Sequence, residues 1–167
     1  MAEAGGAFVV PLALDVLARE GGVWGRGTGV SMLPLIRPGV EIRLVPFDGR
    51  RVFRGMLVAY PREARLVVHR VIAWAEAGLV TKGDASAFPD PPVPRDEVVA
   101  RVVALRGTNG RCVDLEAFPW PLLNRLLGTH AWLASRFFRV EGAPSLARRA
   151  AWKALRLPFY GARLFVR

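Results

Sequence analysis

Hydrophobic and polar positions change period twice along this chain. Pro11-Leu-Ala-Leu-Asp-Val-Leu-Ala-Arg-Glu20 carries a helical pattern with proline at its start, and Gly21-Gly22 stop it, which predicts one short helix. From about residue 22 to 107 the pattern becomes short apolar runs cut by glycine and proline. Val40–Val45, Met56–Tyr60, Arg65–Ala73, Leu79–Lys82 and Glu97–Leu105 are predicted strands, several rich in valine and leucine. Phe88-Pro-Asp-Pro-Pro-Val-Pro94 is predicted to be a loop, because its four prolines remove donors and fix φ. From 119 onward the helical period returns. Trp120, Leu123, Leu127, Trp132 and Phe138 suggest one or two amphipathic helices interrupted near Gly128 and the Gly142–Pro144 segment, with a second helix over Ser145–Leu157 before Pro158. The predicted fold is therefore mainly β: a β-rich domain over 1–117 with a short N-terminal helix, then a basic amphipathic helical extension over 118–167.

Composition sharpens this outline. The 167 residues are 52% hydrophobic and 23% charged, enough to bury a core and unlike a disordered chain. The single cysteine, Cys112, rules out an intramolecular disulfide and a Cys-rich zinc module; its short apolar run suggests a small core residue. Two histidines, His69 and His130, leave little material for a histidine metal site, so no metal is expected. No stretch reaches 18 apolar residues, and Met1 to Phe8 lack a basic leader region. The expectation is a cytoplasmic protein, either soluble or peripheral on the inner face of the membrane.

Charge is uneven. The net charge is +10, and residues 118–167 hold nine basic residues against Glu141 alone, which makes that segment +8. Trp120, Trp132, Trp152, Phe137, Phe138 and Phe159 are interleaved with these arginines. Such a segment either packs on the β core with its arginines in water or lies on a membrane surface. Nucleic acid is a weaker expectation, because no recognition motif is present.

Three islands could carry chemistry. Gly27-Thr-Gly-Val-Ser-Met-Leu-Pro34 sets a serine in a Gly-rich turn whose backbone N–H groups could stabilise an oxyanion. Leu66-Val-Val-His-Arg-Val-Ile72 embeds a histidine in a β-type run. Thr81-Lys-Gly-Asp-Ala-Ser-Ala-Phe-Pro-Asp90 offers two acids six residues apart. A serine hydroxyl needs an imidazole to take its proton, and a carboxylate behind the imidazole fixes its tautomer. Each island alone is commonplace turn or strand chemistry.

In order and wording, the islands resemble the signal peptidase I superfamily, which shares a β-rich catalytic fold with LexA-type self-cleaving repressors. The resemblance covers about residues 24–107. Ser31-Met32-Leu33-Pro34 is similar to the family's nucleophile box, Val67-Val-His-Arg-Val71 to its base box, and Thr81-Lys-Gly-Asp84 with Asp90 to the third box of the archaeal and endoplasmic-reticulum branch. The resemblance implies a serine endopeptidase without cofactor, cleaving after small residues in a precursor peptide or protein. Ser31 would be nucleophile and His69 base. Asp90 or Asp84 would orient the imidazole, Asp90 being preferred and Asp84 bracing the turn or meeting Arg70. The oxyanion and substrate site would be built from Ser31, Gly29 and Met32, with Thr28 as a further donor. Lys82 is the rival base, because related bacterial enzymes use a Ser–Lys dyad. Met32 is expected as a core plug, Pro34 as a strand terminator and Arg70 as structural. Gly29-Val30 stands where the family often has Ser-Gly, and Gly39-Val40-Glu41 and Gly55-Met56 replace its Gly-Asp turns. The alternative is a non-catalytic module of the same fold that holds a peptide or an acidic partner. The sequence does not specify an oligomeric state.

Overall fold

The computed structural model describes residues 10–138 other than Ala64, together with Gly161. Helix α1 (Val10–Glu20) leads into strands β1 (Val23–Arg26), β2 (Glu41–Pro46), β3 (Leu57–Arg62), β4 (Arg65–Ala75) and β5 (Gly78–Lys82). A short 3₁₀ turn (Arg95–Glu97), strands β6 (Ala100–Arg106) and β7 (Cys112–Asp114), and helix α2 (Trp120–Phe138) follow. The strands form one seven-stranded antiparallel sheet in the order β1-β2-β6-β3-β4-β5, with β7 paired to β6. Mainly β architecture with a C-terminal helix is what the hydrophobic pattern predicts.

The sheet buries both faces, and this is why its central strands read as continuous apolar runs rather than strict alternations. One core cluster joins Leu17 of α1, Met32, Leu35 and Ile36 of the serine turn, Leu57, Ala59 and Ile72 of the sheet, and Trp120, Leu127 and Ala131 of α2. A second, smaller cluster gathers Met56, Val58, Tyr60, Val71, Leu79, Val93 and Val98. Side chains of a strand alternate between faces. Leu57 and Ala59 therefore serve the first cluster, and Val58 and Tyr60 the second.

Several expectations need correction. Two short strands, β1 and β7, escaped the hydrophobic pattern because their residues are mixed in polarity. The predicted strand over Glu97–Leu105 begins only at Ala100, since Arg95–Glu97 close a 3₁₀ turn. Pro34 does not terminate a strand; it lies buried in the turn after Ser31, behind a cis Leu33–Pro34 bond. Cys112 is exposed rather than a core residue, because β7 turns Val113 inward and leaves its neighbours outside. Helix α2 runs unbroken through Gly128. That glycine is a contact point: its Cα packs on the backbone of Gly55, where any side chain would collide. Gly55 itself has φ +104°, a left-handed conformation open to glycine, and its own approach to Asn124 leaves no room for a Cβ. The predicted helix over Ser145–Leu157 lies outside the described residues, as do the aromatic residues Trp152 and Phe159.

No helix among the described residues is long and apolar enough to cross a membrane.

Candidate active site

Strand β4 delivers two consecutive polar residues, His69 and Arg70, to opposite faces of the sheet. Both are buried, and each captures one of the two acids of the loop after β5.

On the face of the second cluster, His69 Nδ1 lies 2.6 Å from Asp90 Oδ2. The same carboxylate oxygen accepts a hydrogen bond from the Tyr60 hydroxyl at 3.2 Å and from Thr81 Oγ1 at 2.9 Å. Arg62 Nη1 donates to the other oxygen at 3.1 Å. Strand register explains the convergence: Val58 pairs with His69 and Thr81 with Val71, so Tyr60, His69 and Thr81 share a face. The backbone N–H of Asp90 donates to the Thr81 carbonyl and pins the proline-rich loop against β5.

These contacts set the protonation states. Burial pushes the Asp90 pKa up, but the hydrogen bond and charge of His69 and the hydroxyls of Thr81 and Tyr60 outweigh it, so the carboxyl sits below its ordinary value. Burial raises Tyr60 to about 12 against the opposing Thr81 hydrogen bond, and the Asp90 charge adds to the rise. Tyr60 is therefore a neutral donor. With an ionised carboxylate against Nδ1, that nitrogen carries the imidazole proton of a neutral ring, and Nε2 is left as the acceptor.

Nε2 faces the serine turn across Gly83. A Cβ built on Gly83 would stand 3.1 Å from His69 Nε2, 2.7 Å from the Ser31 carbonyl oxygen and 2.8 Å from Ser86 Oγ. Glycine is required here by close approach, because a methyl group would separate the serine turn from the imidazole. The Ala85 N–H donates to the Ser31 carbonyl at 2.7 Å and ties the two segments together. Among the described residues, no hydrogen bond joins Ser31 Oγ to His69; the bonded chain ends at the imidazole.

On the opposite face, Arg70 and Asp84 form a fully buried bidentate pair, Nε–Oδ1 and Nη2–Oδ2 both at 2.8 Å. Arg70 Nη1 also donates to the Gly55 carbonyl and to Asn124 Oδ1 of α2, each at 2.9 Å. Asp84 thus braces the loop through Arg70 and does not reach His69. Arg70 has no exposed surface with which to meet a ligand. Lys82 is buried and donates to the Gly83 carbonyl at 3.3 Å. Burial lowers the pKa of His130 on α2, with the Lys82 charge adding to the fall and Asp84 opposing it.

A cleft of about 220 Å³ opens beside Ser31. Its lining comes from Arg26 to Gly29 and Met32 around the serine turn, from Arg65 to Val68 of β4, and from Ile36, Ile42 and Leu44. Met32 is buried in the core beneath Ser31, as expected of a plug. Residues Arg65–His69 pair with β3 on one side, while β5 pairs only from Arg70 onward. The β4 edge along the cleft therefore carries no strand among the described residues. No group of three or more His, Cys, Asp and Glu side chains among them is arranged to hold a metal ion.

Tyr60, Arg62 and Asn124 take part in these two networks and were missed in the sequence, while Thr81 and Gly83 were read there only as parts of the third box. For Gly83 a signal existed, since a glycine inside that box, between Lys82 and Asp84, leaves room for close backbone approach. Asn124, 54 residues from Arg70, offered none. No family model, curated protein or solved structure matches the chain.

Proposed function

We propose that this protein is a serine endopeptidase of the signal-peptidase kind, acting on an extended segment of a precursor peptide or protein. The observation that carries the reading is the Asp90–His69 pair, its Nε2 facing the Ser31 turn across Gly83 at the head of the cleft. In this reading a peptide lies along the Arg65–Val68 edge of β4, unpaired on that side among the described residues, and adds a strand to it, main-chain hydrogen bonds holding it in register. Short apolar side chains near the cleaved bond enter the cleft between Gly27–Met32 and Leu66–Val68.

Ser31 Oγ then attacks the peptide carbonyl as His69 Nε2 removes its proton. The imidazolium so formed is stabilised by Asp90, which holds it through Nδ1–H and stays ionised. Backbone N–H groups of the Gly29–Met32 turn receive the oxyanion, in place of the hydroxyl that the family often supplies two residues before the nucleophile. His69 returns the proton to the leaving amine, and the acyl-serine is hydrolysed by water activated at the same Nε2. Tyr60, Thr81 and Arg62 hold Asp90 still throughout.

The second reading is a peptide-binding module using the same cleft; the unbonded Ser31 hydroxyl favours it. Mass spectrometry of a peptide library bearing small-residue sites, incubated with wild type and with Ser31→Ala, separates the two. Cleavage by wild type alone is the expected result. Cleavage by both would remove Ser31 from the nucleophile role, and binding without cleavage by either would establish the module.

A further inference from the structure

Helix α2 has two apolar faces, and the core uses one. Trp120, Leu127 and Ala131 are buried in the main cluster and Asn124 meets Arg70. Leu122, Leu126 and Leu133 are each more than half exposed, and Phe118 just before the helix is 86% exposed. At about 100° per residue the three leucines fall within roughly 40° of arc, opposite the buried set, in a stripe about 16 Å long. Scattered exposed apolar residues are ordinary, but an aligned stripe asks for a partner.

Arginines border the stripe. Arg125 lies 4.9 Å over Phe53 and Arg136 5.0 Å over Trp132. Arg54 lies 4.6 Å over the same Trp132 and 5.9 Å over the exposed Trp74. Residues 118–138 contain no acid. These contacts anchor the guanidinium groups over aromatic rings without neutralising them.

Charge selects among the occupants. Residues 139–167 carry seven basic residues and Glu141, a net +6, so they share the sign of the arginine border. A second copy laid stripe to stripe would set two arginine-bordered faces, each without an acid over residues 118–138, against one another. Duplex nucleic acid would satisfy the arginines but leave the leucines without an apolar surface. An anionic bilayer answers both requirements, taking leucines into the acyl boundary and arginines onto phosphate. We propose that the outer face of α2 is a docking surface for anionic lipid membrane, with Leu122, Leu126 and Leu133 inserted and Arg54, Arg125 and Arg136 at headgroup level. The proposal is independent of the peptidase reading.

The test is co-sedimentation of the full chain with vesicles of phosphatidylcholine alone or of phosphatidylcholine with phosphatidylglycerol. Wild type should sediment with the anionic vesicles and far less with the neutral ones. Leu126→Asn with Leu133→Asn should weaken binding at least about tenfold, since burying a leucine is a large apolar transfer. Arg125→Gln with Arg136→Gln should weaken it about fivefold per arginine removed. All four positions are exposed, so the leucine variant should keep the wild-type melting temperature, and the arginine variant should lose only the small contribution of two exposed cation–π contacts. The proposal is overturned if wild type ignores anionic vesicles, or if the leucine variant binds them as well as wild type does. Sedimentation velocity showing a dimer that the leucine variant dissolves would overturn it in favour of a second copy. Duplex DNA displacing the vesicles while leucine changes have no effect would overturn it in favour of nucleic acid.

Discussion

The two faces of β4 hold the same pair of chemical types, a cationic or basic side chain and a carboxylate, and put them to different use. On one face Arg70 and Asp84 are fully buried, bidentate, and bonded on to Gly55 and Asn124. On the other, His69 meets Asp90 at the margin of the protein, where Asp90 keeps 14% of its side-chain surface. A buried ion pair bonded at both carboxylate oxygens is rigid, and removing one partner leaves a charge stranded. The His69–Asp90 pair keeps a little exposed surface, 8% and 14% of the two side chains, and can meet a ligand that the Arg70–Asp84 pair cannot reach. In the proposed reading, the comparison separates scaffold from chemistry within one dipeptide.

The largest effect expected is on turnover. Ser31→Ala should reduce peptide cleavage by at least about 10³-fold with no loss of stability, read by mass spectrometry and by urea denaturation. The next is on the scaffold face. Arg70→Met leaves Asp84 buried without its cation and should cost about 3–5 kcal/mol, seen as a lowered urea midpoint. A midpoint unchanged by Arg70→Met would collapse the distinction between the two faces. Smaller still, Tyr60→Phe removes one of the three side-chain hydrogen bonds that hold Asp90 besides that of His69. It should cost about 1 kcal/mol of stability and lower turnover modestly, with the substrate KM unchanged.

The smallest effects are those of pH on stability. His130 has a folded pKa below its ordinary 6.5, so the fold prefers its neutral ring. Its contribution is complete above about pH 6.5 and is lost as the pH falls toward the folded value. His130→Gln should flatten the fall in melting temperature through this window. Asp90, also depressed, contributes above the ordinary carboxylate range and is lost at more acidic pH, as its folded value is crossed.

Much of this arrangement was legible in the chain, and the remainder failed for definable reasons. The period of two in a strand already puts His69 and Arg70 on opposite faces, so one acid for each was foreseeable. Which acid went where depended on the loop's path. The Asp90 N–H bond to Thr81 and the Ala85 N–H bond to Ser31 decide it, and neither leaves a mark on the sequence. Gly128 was read as a break because glycine disfavours helices, yet tertiary contact with Gly55 overrides that propensity. Cys112 was read as core from its apolar neighbours, but a three-residue strand buries only its middle residue. The strands β2 to β6 were found because a two-sided sheet concentrates valine and leucine, a signal that β1 and β7 are too short to give.

The most direct test of this division of labour sets Asp90→Asn beside Asp84→Asn on one peptide substrate, with turnover and urea midpoint measured for each. Asp90→Asn should lose about 10²–10⁴ in kcat, since the imidazole loses the group that fixes its tautomer, at a stability cost near 1 kcal/mol. Asp84→Asn should do the reverse, losing about 3–5 kcal/mol of stability while each folded molecule keeps most of its turnover. Full activity in Asp90→Asn, with activity lost in folded Asp84→Asn, would contradict the account.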